Sequence, residues 1–420
     1  MTAAVPVALP PSPDPFVLLD DARPVAGACA RLYRDPAEEV VAWRTEDVRP
    51  ALEKVRAATR RGMHAAGYLH YEAGHALEPV LAPLADAGKS GAGESGETPL
   101  LWFGLFPQCT VLPAGEVPGL LPSPALSRHG TACPAWGAVA YGAAVERVLD
   151  YIRAGDIYQA NLTFAASVEL PGDAPVAPLA AYAAIRPRAA MGHGALVRHG
   201  GRHILCFSPE RFFAVEGERI ETLPMKGTAP RHADAAADDA LAAQLLADPK
   251  QRAENLMIVD LIRNDLSRIC VAGSVAVPAL FTVERYPTVH QLTSRVVGRL
   301  NPGVDAIDAL AALFPCGSVT GAPKIRAMQV IAEVEGRTRG IYTGSIGSIS
   351  PDGDARFNVA IRTISLEKSA DSAVMGIGSG IVADSSPAAE WMECLDKARF
   401  LERAPDGAAG QVATMQGMMD

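Results

Sequence analysis

The chain has no Cys-x-x-Cys pair. Its seven cysteines, at 29, 109, 133, 206, 270, 316 and 394, are scattered and odd in number. Neither a disulfide framework nor a zinc site is therefore expected, and reduced cysteines fit best. No run of about 18 apolar residues occurs, so nothing is expected to span a membrane. The N-terminal stretch Met1-Thr2-Ala3-Ala4-Val5-Pro6 lacks a charged segment followed by a continuous apolar one. No secretory signal is expected, and a cytoplasmic location follows as the expectation. Basic stripes are missing too, and the formal charge is -9, which argues against nucleic acid as a partner. That balance leaves small anions open, because a local site can be cationic inside an acidic protein.

What is present is length and apolar content. With 420 residues, 49% hydrophobic and 20% charged, the chain can bury a large core and has the profile of a globular protein. Strands are expected at 16–20, 66–72, 99–106, 157–164, 194–199, 203–207, 211–215, 219–223 and 276–283, then at 341–350, 356–366 and 372–377. Helical periodicity marks 47–61, 141–152 and 322–335, and helices are also expected over 235–247, 251–263, 305–313 and 387–402. Strands come in hairpin-like groups, with Pro351-Asp352-Gly353-Asp354 as a turn between two of them. This favours an α+β fold with antiparallel sheets over a doubly wound sheet. The division expected is an N-terminal α+β region over 1–130, a catalytic region over 131–404 and a frayed tail over 405–420. Proline-rich residues 107–140 form the seam, and 86–98 a surface loop.

Several stretches carry chemistry. Pro224-Met225-Lys226-Gly227-Thr228-Ala229-Pro230-Arg231 holds one ammonium group beside a glycine that permits close backbone approach. A desolvated lysine there is a candidate nucleophile; an exposed loop lysine beside a turn is the plainer local alternative. Gly317-Ser318-Val319-Thr320-Gly321-Ala322-Pro323-Lys324 lacks the terminal Gly-Lys-Ser/Thr of a P-loop, but leads small residues into a helix start. Gly378-Ser379-Gly380-Ile381-Val382-Ala383 has the letters of a dinucleotide fingerprint. The residues Asp384-Ser385-Ser386-Pro387 intervene before any helix, so a Rossmann site is rejected. Ser208-Pro209-Glu210-Arg211-Phe212 sets a carboxylate just after a strand. The helix around Arg252–Asp265 reads as apolar nearly all round and hence buried, so Glu254 and Asp260 should be salt-bridged or metal-bound. On the last helix Glu390, Glu393 and Lys397 share a face. A carboxylate pair from two distant helices suits a hard cation such as Mg2+, whereas a solvated Glu-Lys face is the alternative.

In this order the motifs closely resemble the chorismate-utilising enzymes, and among them the aminodeoxychorismate synthase component I branch. The match runs from about 141 to 402. It rests on Tyr158 to Thr163, Ser208 to Phe212, Pro224 to Arg231 and Arg252 to Asp265. His290 to Ser294, Pro315 to Lys324, Arg362-Thr363 and Gly378 to Lys397 complete it. The resemblance implies two antiparallel sheets packed as a sandwich with helices outside, and a cleft for chorismate and Mg2+. Within the family, anthranilate synthase component I has alanine where this chain has Lys226. Isochorismate and salicylate synthases carry a lysine at the strand where this chain has Gln159. Both positions point to amination at C4, and Met225 in place of the more usual isoleucine is a mild departure.

The resemblance further implies Lys226 as nucleophile, Glu210 as acid and base, and His290 as an assisting or substrate-holding group. Gly227, Thr228, Tyr342, Arg362, Gly378 and Gly380 match its substrate-anchoring positions. Glu254 and Glu393, with Glu390 close by, match its metal ligands. No Gly-x-Cys-x-Gly block surrounds any cysteine, so ammonia is expected from a separate glutamine amidotransferase subunit. No length is left for a fused lyase, so aminodeoxychorismate rather than 4-aminobenzoate is the expected product. Anthranilate synthase component I and a non-catalytic chorismate-binding protein are the alternatives.

Overall fold

The computed structural model describes residues 14–87, 98–172, 176–286, 289–367 and 372–402, together with Leu9. The expected tail over 405–420 and most of the 86–98 loop lie outside the described residues.

Two antiparallel sheets of ten strands each form the frame. In the first, the strand order runs from Gly321–Ala322 through Gln159–Val168, Ala373–Ile381, Thr363–Leu366, Arg202–Cys206 and Gly194–His199 to Phe16–Asp20, Cys29–Arg34 and Thr110–Pro113. The second runs from Met225–Pro230 through Val289–Arg299, Arg219–Thr222, Arg211–Glu216, Ala355–Asn358 and Ser345–Ile349 to His64–Leu69, Leu101–Phe106 and Glu38–Ala42. Each sheet thus draws strands from both sides of residue 130. The 107–140 seam contains two of them, Thr110–Pro113 and Ala132–Pro134, both paired into the first sheet.

Strand alternation explains the layering. Phe16, Leu18, Leu196 and Leu205 point to a core shared with the helices Ala138–Arg153, Ala177–Ala189 and Lys324–Glu335. Their neighbours Val17, Ala195, Val197, Ile204 and Cys206 point the other way, meeting Tyr68, Trp102, Phe106 and Ile346 of the second sheet. A third core lies under the helices Thr45–Arg60, Pro249–Ser267 and Ala306–Leu313. The result is a sandwich with both outer faces covered by helices.

Several sequence expectations change. Residues 224–231 are not a turn: Met225–Pro230 is an edge strand, and the Val289–Arg299 strand beside it has no counterpart among the expected elements. The helix Ala177–Ala189 is not among the expected elements either: its Ala-rich sequence gives almost no amphipathic stripe, and Pro187 lies inside it. The helix Pro249–Ser267 is amphipathic rather than buried all round: Ile258, Val259, Ile262 and Leu266 face the core, while Leu256 and Asp260 are exposed. Asp260 is ion-paired to Arg263 at 2.8 Å, but in solvent. Finally, the single strand expected over 356–366 is two, Ala355–Asn358 in the second sheet and Thr363–Leu366 in the first.

That break positions the site. Between Asn358 and Thr363 the chain crosses from one sheet to the other, and it does so again between Cys206 and Arg211. The two crossings are bonded together, Val359 N–H to Glu210 O at 3.1 Å and Phe207 N–H to Arg362 O at 3.0 Å. Glu210 and Arg362 therefore both sit where the sheets are stitched, at the rim of the space between them.

Candidate active site

A glycine floor comes first. In the antiparallel pair of Gln159–Val168 with Ala373–Ile381, Gly378 faces Thr163 and Gly380 faces Asn161. Leu162, Phe164, Ile377 and Ile381 take the helix-covered side. By alternation Gln159, Asn161, Thr163, Gly376, Gly378 and Gly380 share the opposite face. The glycines are needed for room. A Cβ on Gly376 would lie 2.0 Å from the Tyr342 ring, and one on Gly378 would lie 2.7 Å from Thr163 Cγ2. One on Gly380 would lie 3.2 Å from both Lys226 Nζ and Gln159 Nε2.

Lys226 reaches this floor from the other sheet. Its strand pairs Met225 with Thr293 and Thr228 with Gln291, so one extra residue is accommodated as a bulge. Gly227 supplies the positive φ of 89°; a side chain there would also meet Gln251 Oε1 at 2.9 Å. Gln291 locks the bulge, donating to Gly227 O at 2.8 Å and accepting from Thr228 Oγ1 at 3.1 Å. Thr228 itself is exposed and Lys226 half-buried. Gln159, fully buried, has no partner for either amide atom among the described residues. Buried orphans of this kind are a ready contact for a polar ligand.

Glu210 is buried rather than exposed, at 5%. Its backbone is fixed by Ser208, whose hydroxyl accepts from Glu210 N–H at 3.1 Å and donates to Val359 O at 2.6 Å. Burial pushes its carboxyl up to about 7, against the opposing pull of the Ser318 hydroxyl and the Lys226 ammonium. A carboxylic acid poised near neutrality can both give and take a proton.

The carboxylates expected to hold a metal come from helices that begin alike. Asp248 and Ser386 cap them, accepting from Gln251 N–H and Ala389 N–H, and Pro249 and Pro387 take the first helical position. These starts aim Glu254 and Glu390/Glu393 into one neighbourhood. Burial raises Glu254; Lys226 and Lys250 oppose this, and Glu393 and Glu390 add to it. Partial desolvation acts upward on Glu393 too, although its side chain is 53% exposed, but Lys397, Lys226 and Lys250 outweigh it and hold the carboxylate below its ordinary value. Glu390 is 7% exposed; its Oε1 accepts from Ser385 Oγ at 2.7 Å, while Oε2 is buried without a partner among the described residues. Among the described residues no three His, Cys, Asp or Glu side chains close into a ready-made ligand cluster. Hard carboxylate oxygens from two helices, one of them orphaned, fit a hard divalent cation that completes its shell with substrate oxygens and water.

Tyr342 is buried against Gly376, and burial drives its phenol up. Arg362 adopts a left-handed φ of 50° at the crossing. Burial holds its guanidinium below the ordinary value, and no carboxylate among the described residues pairs with it. It is available for an anionic ligand. His290 is placed differently. It shares a face with Ser294, which bonds Asn255 at 2.6 Å, and with Val296 in the helix-covered core. Its Nε2 meets Asp238 at 2.9 Å, and Asp238 is gripped by Arg231 and by His232 N–H. The side chain that touches the Lys226 segment is its neighbour Gln291. Sequence reading missed Gln291 because the period-2 alternation of 289–299 was not recognised as a strand.

A family model described as chorismate binding enzyme matches residues 14–403. Anthranilate synthase component 1 1 of Haloarcula marismortui is 45% identical over 267 residues, 64% of this chain and 53% of its own length. Aminodeoxychorismate synthase component 1 of Escherichia coli is 43% identical over 257 residues, 61% of this chain and 55% of its own. The chain thus spans about half the length of the curated relatives it matches. Among solved structures, anthranilate synthase component I from Streptococcus pneumoniae TIGR4 aligns with a TM-score of 0.73 at 28% identity, covering 96% of this chain and 95% of that one. The isochorismate synthase MenF from Escherichia coli shares the fold, with a TM-score of 0.69 at 20% identity over 93% of this chain and 89% of its own. A bulged-strand lysine, a glycine floor and a buried acid are thus carried on a two-sheet sandwich, and the chain belongs to the chorismate-binding enzyme family.

Proposed function

We propose that this chain is an aminodeoxychorismate synthase component I. It would convert chorismate and ammonia to 4-amino-4-deoxychorismate on the route to 4-aminobenzoate and folate. The observation that carries the reading is the Lys226 ammonium lying over Gly380 beside Gln159.

In this reading Arg362, Tyr342 and the backbone of Gly378 and Gly380 hold chorismate, with Gly227 and Thr228 closing one side. Lys226 Nζ, as the free amine, forms a bond to C2. The ring double bonds shift, the C4–O bond breaks, and Glu210 gives its proton to the departing oxygen, which leaves as water. Ammonia then bonds to C4, the double bonds shift back, and the C2–N bond breaks to return the lysine. Glu210 takes up a proton from the incoming nitrogen. Two easier displacements replace one difficult one. Glu254 and Glu393, with Glu390, would hold Mg2+, which when bound neutralises the ring carboxylate and draws electron density from the conjugated ring. His290, turned toward Asp238, would act through the strand it shares with Gln291.

Ammonia would come from a glutamine amidotransferase subunit, since the relatives above are named as component 1 of a synthase. The test is product mass after incubation with chorismate, Mg2+ and ammonium. A 4-amino compound supports the reading. Anthranilate, detected by its fluorescence, would instead make the chain an anthranilate synthase component I.

A further inference from the structure

Lys397 lies one helical turn beyond Glu393, and its Nζ is 2.7 Å from Glu393 Oε1. An exposed i,i+4 pair would ordinarily be a minor helix stabiliser. This one has a third member: the same ammonium donates to Gly378 O at 3.0 Å. Lys397 therefore bridges the carboxylate expected to hold a cation and the floor on which a substrate would lie. Three acids (Glu254, Glu390, Glu393) here face three ammonium groups, Lys226, Lys250 and Lys397. The buried, unpartnered Glu390 Oε2 independently points to a cationic ligand at this place.

An ammonium on Glu393 and a dication on the same carboxylate would stand only about 4 Å apart, where their repulsion far exceeds thermal energy even at an effective dielectric of about 20. We propose that Lys397 is a resident counter-cation of this carboxylate group, and that a divalent cation must displace it from Glu393 in order to bind. The inference rests on the metal assignment made above. The flexible lysine stem lets the ammonium swing clear while its helix stays fixed. Metal affinity is then set by competition within the chain as well as by the ligands.

The test is Mn2+ binding to the full chain without chorismate, followed by calorimetry and by loss of the free-ion electron paramagnetic resonance signal. Lys397→Met is expected to tighten binding roughly two- to fivefold, the range for a partly exposed ion pair. Lys397→Gln should do the same, and Lys397→Arg should keep the wild-type affinity. Unchanged or weaker binding in both neutral variants overturns the proposal and leaves the metal assignment standing. If the wild-type chain binds no Mn2+ even with chorismate present, the metal assignment falls and the proposal falls with it.

Discussion

Lys226 Nζ occupies the space in front of Gly380 from the other sheet: a Cβ on Gly380 would sit 3.2 Å from that nitrogen and as close to Gln159 Nε2. Such a spacing is tight, and both neighbours are ends of flexible side chains, so they can yield slightly. Gly380→Ala should therefore fold normally while shifting the ammonium by a few tenths of an ångström. Turnover is expected to fall about tenfold or more, in line with the sensitivity of catalysis to misplacement. Steady-state rates together with a melting curve check this; unchanged kcat would detach Lys226 from the floor.

Gly376 makes a harsher prediction. A methyl group there would lie 2.0 Å from Tyr342 Cδ1, inside a buried ring that has nowhere to go. Gly376→Ala should cost about 1–3 kcal/mol, as overpacked cores do. Urea unfolding would measure it, and a paired Tyr342→Leu change should recover part of the loss.

Glu210 couples stability to pH. Burial raises its carboxyl to about 7 from an ordinary value of 4.5. The sign follows from linkage: a raised folded-state value gives stability that is complete below pH 4.5 and is lost as pH rises through 7. Glu210→Gln removes that loss, so it should be more stable than wild type at pH 8 by the order of 1–3 kcal/mol and no more stable at pH 4. Thermal melts at the two pH values decide it. The fraction of Glu210 able to give a proton to the departing hydroxyl falls as pH rises through 7.

Lys226→Ala should lose at least about a hundredfold in C4 amination, the scale of a lost catalytic group. Product quantitation by mass spectrometry is the measurement, and near-wild-type turnover would end the covalent route.

Asp20 of the first sheet and Arg186 form a buried bidentate pair at 2.6 and 2.8 Å, joined by Tyr182 and by Ala114 O. Arg186→Leu leaves the Asp20 carboxylate buried without its counter-charge. A loss of about 3–5 kcal/mol is expected by denaturant titration, while Asp20→Asn combined with Arg186→Leu should lose less.

Local chemistry was legible. The periodicity of Thr45–Arg60 marked that helix to within a few residues, and the helices expected over 235–247 and 305–313 match Ala235–Ala247 and Ala306–Leu313. Alternation found Gly194–His199 and Arg211–Glu216. The Met225–Pro230 edge strand was not legible, because a proline at each flank and a glycine at its centre spell a turn, and only pairing with Val289–Arg299 overrides that. Nor was the split at Asn358–Thr363: an apolar run looks the same whether it stays in one sheet or crosses to another.

The sequence by itself determined which groups are available: Lys226 beside Gly227, glycines on alternate positions 376, 378 and 380, and carboxylates at fixed spacings on two capped helices. Those are short-range properties, set by backbone sterics and side-chain period. Only the tertiary structure decided that Lys226 would reach the floor at Gly380 from the other sheet, that Glu210 would be buried, and that Gln291 rather than His290 would bond the segment carrying the lysine. Each depends on register between distant strands, where a shift of one residue exchanges the two faces.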